Sequence, residues 1–175
     1  KGPMLELGCG TGHWTSYFTS KGFTVTAIDE SETMIKIANS KNIRNASFMK
    51  ADAASLPFSD HSFAVISSIT MLEFVEDPEV ILIETDRVLK PGGILIVGCL
   101  NKYSELGKNK DNDPVFKNGN FFSIQEITDM LSRFGKPFIN YGVYFSPEFA
   151  ILDGTDKQET VQPSFIAASV WKNQP

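Results

Sequence analysis

Cysteine and histidine are scarce: Cys9, Cys99, His13 and His61 are the only such residues among 175. One disulfide would do little for a core of this size, and a reduced, cytoplasmic setting is expected. No His, Cys, Asp and Glu cluster has metal-ligand spacing, so no metal site is expected. Basic runs are missing as well. Lys and Arg total 16 against 21 Asp and Glu, a net charge of -5, which leaves no stripe of cations for a phosphate backbone. Nucleic acid is therefore not an expected partner. The longest apolar run, Ile94 to Leu100, is far too short for a membrane span, so no membrane insertion is expected. No secretory signal is expected, and no internal repeat occurs. An initiator Met is lacking too, and an apolar run begins at Met4, directly after Lys1-Gly2-Pro3. A central sheet seldom starts on its fourth residue, so an N-terminal helical segment is expected to precede this chain.

What is present is an ordinary globular balance, 42% apolar and 21% charged, with an unusual 14 Phe. The length suits one domain, residues 1–175. Short apolar runs alternate with helical patterns, which signals βαβ units and a mostly parallel sheet. Strands are expected at Met4–Leu7, Phe23–Ile28, Ser47–Met49, Phe63–Ile69, Ile94–Cys99, Phe138–Phe145 and Phe165–Trp171. The last two flank a polar segment around Asp153–Thr160. Helices are expected from about Gly12 to Ser20, behind a Ser31 cap, from Pro78 to about Leu89 behind an Asp77 cap, and from Ser123 to Gly135. Gly22 suits a left-handed cap, Pro91-Gly92-Gly93 is a hard stop, and Ser123-Ile124-Gln125-Glu126 is a capping box. Residues 101–120 form a long polar loop.

The chemistry is concentrated in Leu5-Glu6-Leu7-Gly8-Cys9-Gly10-Thr11-Gly12, a strand entering a glycine turn at a helix start. Glycines permit positive φ and admit a ligand where a Cβ would stand. The helix start beyond offers free N–H groups. Asp29 follows at the end of the next strand, where a carboxylate can accept both hydroxyls of a ribose. A dinucleotide fingerprint would place its third glycine at position 13, which is His13, so the spacing disfavours an NAD-dependent oxidoreductase. A P-loop is excluded because no Gly-Lys-Ser/Thr follows.

The glycine motif resembles the first motif of class I S-adenosylmethionine-dependent methyltransferases. Further matches follow in order: Ile28-Asp29-Glu30-Ser31 with Met34, Ala51-Asp52-Ala53 with Leu56-Pro57-Phe58, and Arg87 through Gly93. The resemblance covers roughly the first hundred residues, and is nearest the small-molecule branch with the quinone-biosynthesis (type 11 domain) methyltransferases. It implies a Rossmann-like, doubly wound α/β fold: a mostly parallel seven-stranded sheet, helices on both faces, last strand antiparallel. It also implies S-adenosylmethionine as cofactor, S-adenosylhomocysteine as product and a small-molecule acceptor. The cofactor residues implied are Glu6, Gly8, Cys9, Gly10, Gly12, Asp29, Glu30, Met34, Asp52, Ala53, Ser68 and Ile69, with Glu6 toward the ammonium and Asp52 toward the adenine. Departures are Phe63-Ala64 where the family often has Phe-Asp, Glu73 where it often has His, and the absence of the usual N-terminal helix.

Each assignment competes with a plainer one. Asp29 could cap the next helix, Asp52 could be a solvated turn residue, and Met34 fits a core face by periodicity. Cys9 has no His near it in sequence and is read as a small residue of the turn rather than a nucleophile. His13 and His61 are read as surface residues. Ligands in doubly wound sheets bind beyond the strand ends. Thr70, Glu73 and Phe74 after the fourth strand, and Asn101 and Tyr103 after the fifth, are thus expected to face the acceptor, with Phe121 and Phe122 as a lid. Glu73 is the candidate catalytic residue, set against its reading as a solvated loop carboxylate. A non-catalytic S-adenosylmethionine-binding module remains the other class, since a fold and a cofactor site do not establish chemistry.

Overall fold

A computed structural model describes residues 2–146, 150–152 and 161–174. The strands are β1 (Met4–Leu7), β2 (Val25–Asp29), β3 (Ala46–Lys50), β4 (Phe63–Ile69), β5 (Leu89–Leu100), β6 (Phe138–Gly142), β7 (Tyr144–Phe145), β8 (Ile151–Leu152) and β9 (Phe165–Trp171). The helices are α1 (His13–Ser20), α2 (Glu32–Ser40), α3 (Pro78–Val88), α4 (Glu105–Lys108) and α5 (Ile124–Leu131). Seven strands form one sheet in the order β3-β2-β1-β4-β5-β9-β6, and β7 and β8 pair separately. The pairs from β3 to β5 are parallel, and β9 runs antiparallel to both β5 and β6. The expected architecture is present, including the antiparallel last strand. The order reverses between β1 and β4, so the connections leaving these strands diverge and open a crevice at their carboxyl ends.

Both faces of the sheet are packed. One face joins Leu5, Leu7, Ile66 and Leu95 to Ile81, Leu82 and Val88 of α3 and to Ile127, Leu131 and Phe134 at α5. The other face joins Met4, Val25, Ala27 and Val65 to Phe18 of α1 and Ile35 of α2. Alternate residues of β1 enter opposite cores, as the period of a strand requires. The caps follow the sequence signals. Asp77 accepts from the Glu79 N–H at 2.9 Å with Pro78 beside it, and Ser123 with Glu126 closes the capping box before α5.

Three regions differ from expectation, the first being the strand expected at Phe138–Phe145, which breaks at Val143 (φ 55°) into β6, in the main sheet, and β7, paired with β8. Helix α3 ends at Val88, and Pro91-Gly92-Gly93 lies inside β5 rather than ahead of it. The cause is an irregular register: Phe63 pairs with Leu89, while Val65 pairs with Ile94. Gly92 takes a φ of 71°, and its N–H and the Gly93 carbonyl bond Lys172 at 3.0 and 2.8 Å. Residues 101–120 are a chain of short turns rather than an open loop, with α4 capped by Ser104 through the Gly107 N–H. The segment around Asp153–Thr160 lies outside the described residues.

Candidate functional site

A cleft of about 950 Å³ opens at the carboxyl ends of β1, β2 and β4. Its floor is the turn between β1 and α1. Gly8, Gly10 and Gly12 have φ values of 66°, 53° and 82°, the left-handed region that favours glycine. A Cβ on Gly8 would lie 2.3 Å from Met71 Cγ, whereas one on Gly10 would meet nothing within 4 Å. The bare backbone at Gly10 is therefore open to a ligand. Gly12 lines no part of the cleft; a Cβ there would press on Phe48 at 3.1 Å and Ile43 at 3.3 Å. Its need for glycine is helix entry and packing.

Asp29 stands at the end of β2 with its carboxylate locked in place. Oδ2 accepts from the Gly10 N–H at 2.8 Å, and Oδ1 accepts from the Ser31 N–H at 2.9 Å. Each oxygen keeps a further lone pair. Helix α2 is capped by Ser31, not by Asp29, so the carboxylate is held at the cleft rather than consumed by a cap. Asp52 turns the chain after β3 by accepting from the Ala54 N–H at 2.8 Å. Glu30, Met34, Asp52, Ala53 and Ile69 also line the cleft. Met34 is 37% exposed there while Ile35 and Ala38, on the adjoining face of the same helix, are buried.

Three residues expected at the cofactor lie elsewhere. Glu6 is buried beneath the glycine turn, and its Oε2 accepts from the Thr15 hydroxyl at 2.6 Å. Burial pushes its carboxyl up to about 7, against the pull of that hydrogen bond. Ser68 is buried with its hydroxyl unpartnered among the described residues, and Gly12 is behind the turn. Cys9 does line the cleft, but burial, with the Glu6 and Asp29 charges, drives its thiol up to about 12. A thiol kept protonated this way is a poor nucleophile.

The acceptor residues divide more sharply. Thr70 and Phe74 line the cleft. Thr70 holds a φ of 49°, uncommon for a β-branched residue, with its N–H on the Gly98 carbonyl at 2.7 Å. Glu73 is neither solvated nor in the cleft. It is fully buried, its Oε1 accepts from the Leu100 N–H at 2.6 Å, and its own carbonyl accepts from the Asn120 N–H at 2.7 Å. Oε2 has no partner among the described residues, and burial pushes this carboxyl up to about 7. Asn101 is buried on the Pro163 carbonyl, Tyr103 is exposed on the surface, and Phe121 and Phe122 are core. None of these four lines the cleft; the Asn101 N–H bonds the Ser164 carbonyl and the Lys102 N–H the Phe122 carbonyl, holding the chain after β5 against distant segments. His61 is exposed, away from the cleft, whereas His13 lines it.

Sequence reasoning missed Trp14, Met71, Val75, Glu76, Asp77, Val80 and Ile81, all of which line the cleft. Pro78 at the first position of α3 gave the available signal: a helix starting just beyond a central strand presents its first turn to the crevice. Among the described residues no His, Cys, Asp and Glu group could hold a metal, and no helix is long and apolar enough to cross a membrane.

The comparisons with known proteins agree with this geometry. A family model described as a methyltransferase domain matches residues 5–97. An uncharacterized protein of Methanocaldococcus jannaschii is 37% identical over 98% of this chain and 83% of its own. The demethylmenaquinone methyltransferase of Staphylococcus aureus is 38% identical over 65% of this chain, which spans only 46% of that enzyme. The crystal structure of an S-adenosylmethionine-dependent methyltransferase from Thermotoga maritima, described as a possible histamine N-methyltransferase, superimposes with a TM-score of 0.80. It is 29% identical, and the match covers 99% of this chain and 83% of that one.

Proposed function

The chain belongs to the S-adenosylmethionine-dependent methyltransferase family, and on that premise we propose that it methylates a small molecule bound beside the cofactor in the β1–β2–β4 cleft. The observation carrying the reading is the pairing of an open glycine backbone at Gly10 with a fixed carboxylate at Asp29.

In this reading Asp29 accepts the ribose hydroxyls, while Asp52 and Ala53 border the adenine and Met34 packs on the adenosine. The Gly8–Gly10 backbone passes the methionine portion, with Glu6 bracing α1 from below through Thr15. When bound, S-adenosylmethionine supplies a methyl carbon on a sulfonium that leaves with its bonding electrons. The side chains then need only hold the acceptor in line and exclude water. Thr70, Met71 and Phe74 form the wall on which the acceptor rests. A concave cleft of about 950 Å³ has the size of a small-molecule site, which supports a small acceptor.

The test is formation of S-adenosylhomocysteine from S-adenosylmethionine with a panel of small metabolites, set against protein and RNA substrates. Turnover with a small molecule is the expected result. Turnover confined to protein or RNA, or cofactor binding with no turnover on any acceptor, would overturn the reading.

A further inference from the structure

We infer that the acceptor is an amine on an apolar body, taken up as a cation on the β4 side of the cleft, an inference that rests on the methyl-transfer reading above. The names of its relatives do not agree on an acceptor, one being a quinone enzyme and one a possible amine enzyme. The charge of the cleft separates such candidates independently.

Five carboxylates line the cleft, Asp29, Glu30, Asp52, Glu76 and Asp77, and among the described residues no Lys or Arg does. Lys41 touches the lining only through the Thr11 hydroxyl, to which it donates at 3.2 Å, on the glycine turn rather than on the β4 side. Asp29 and Asp52 are committed to backbone N–H groups on the β2–β3 side, and Asp77 caps α3. Glu76, exposed at the cleft's edge, has no ion pair or side-chain hydrogen bond among the described residues. Around it the wall is apolar, built from Met71, Phe74, Val75, Val80 and Ile81, with Trp14 at the start of α1.

A carboxylate or phosphate entering this space would meet carboxylates and no Lys or Arg, His13 on α1 being the one imidazole of the lining. An ammonium meets Glu76, and the rings of Trp14 and Phe74, which also line the cleft, attract a cation besides. An apolar body on that ammonium covers the aliphatic wall. For transfer, the ammonium releases one proton to water and its lone pair forms the N–C bond. The methyl–sulfur bond breaks onto sulfur, so atoms and charge balance with that single proton released.

The test is calorimetry at pH 7.5. S-adenosylhomocysteine is titrated first, and its failure to bind would sink the methyl-transfer reading itself. On the saturated protein, phenethylamine and 2-cyclohexylethylamine are compared with 3-phenylpropionate and 3-cyclohexylpropionate, which replace the ammonium by a carboxylate. The amines are expected to bind at least ~10-fold tighter than the acids, a difference of about 1.4 kcal/mol. Glu76→Lys should abolish that preference while S-adenosylhomocysteine affinity stays within twofold. Equal or tighter binding of the acids, failure of both amines at millimolar concentration, or a preference untouched by Glu76→Lys would overturn the inference.

Discussion

The two sides of the cleft are built in different ways. On the β2–β3 side the ligand-facing groups are held by the backbone: Asp29 by the N–H groups of Gly10 and Ser31, Asp52 by that of Ala54. On the β4 side the lining is side chains on a short turn and the first turns of α3, much of it apolar and partly exposed. The first side is specified by turn chemistry, which tolerates little substitution. The second depends on side-chain shape, which a family can vary while keeping the fold. One half thus suits a constant cofactor and the other a changeable acceptor.

The largest expected effect breaks the backbone-held side. Gly8→Val forces a β-branched residue to a φ of 66° and drives its Cβ into Met71, 2.3 Å from Cγ. S-adenosylhomocysteine affinity should fall at least ~1,000-fold, about 4 kcal/mol, in calorimetry on a variant whose circular dichroism is native. Binding within tenfold of wild type would show that the turn can shift, and that the two sides are equally adaptable.

Next comes Glu73, which joins the β4 turn to Leu100 and Asn120 without entering the cleft. Its folded pKa, raised to about 7 by burial, lies above the ordinary 4.5. Such a group destabilises nothing while protonated below pH 4.5, and progressively more as pH rises to about 7 and it must ionise in place. Glu73→Gln should therefore stabilise at pH 8, by up to about 3 kcal/mol, and change little at pH 4. Denaturant midpoints at the two pH values measure this. A variant equally destabilised at both would mean the carboxylate is paired in a way that Leu100 alone does not account for.

Asp29→Ala removes the charged acceptor proposed for the ribose and should weaken S-adenosylhomocysteine about 10-fold or more, near 1.4 kcal/mol. Asp29→Asn, which keeps one carbonyl oxygen for an N–H, should lose less; unchanged affinity in Asp29→Ala would reduce Asp29 to a brace for the glycine turn. The smallest effect is expected at Tyr103, which is 56% exposed and outside the cleft. Tyr103→Ala should leave stability and cofactor affinity within ~0.5 kcal/mol. A larger loss would bring the chain after β5 back into the site.

Legibility in the sequence divides along the same line. Glycines, caps and a strand-end carboxylate act through local backbone geometry, so residues 8–12, Asp29, Ser31, Asp77 and the Ser123 capping box could be read from neighbours in the chain. The path of the chain after β5 could not, because it depends on hydrogen bonds from the Asn101 N–H to Ser164 and from the Lys102 N–H to Phe122, far away in sequence. That path takes Asn101, Tyr103, Phe121 and Phe122 away from the pocket expected for them, while the start of α3, which follows β4, enters the lining on its own account. Glu73 misled for a related reason: a carboxylate after an apolar strand suggests solvent, and only the distant Leu100 N–H explains its burial.

The most direct test of cofactor choice is a paired titration of the wild-type protein with S-adenosylhomocysteine and with NAD, read as thermal midpoints and by calorimetry. A ligand that binds only the folded state raises its midpoint by mass action. One saturable site for S-adenosylhomocysteine, a raised midpoint, and no shift with NAD are the predicted results. A shift with NAD and none with S-adenosylhomocysteine would contradict the assignment.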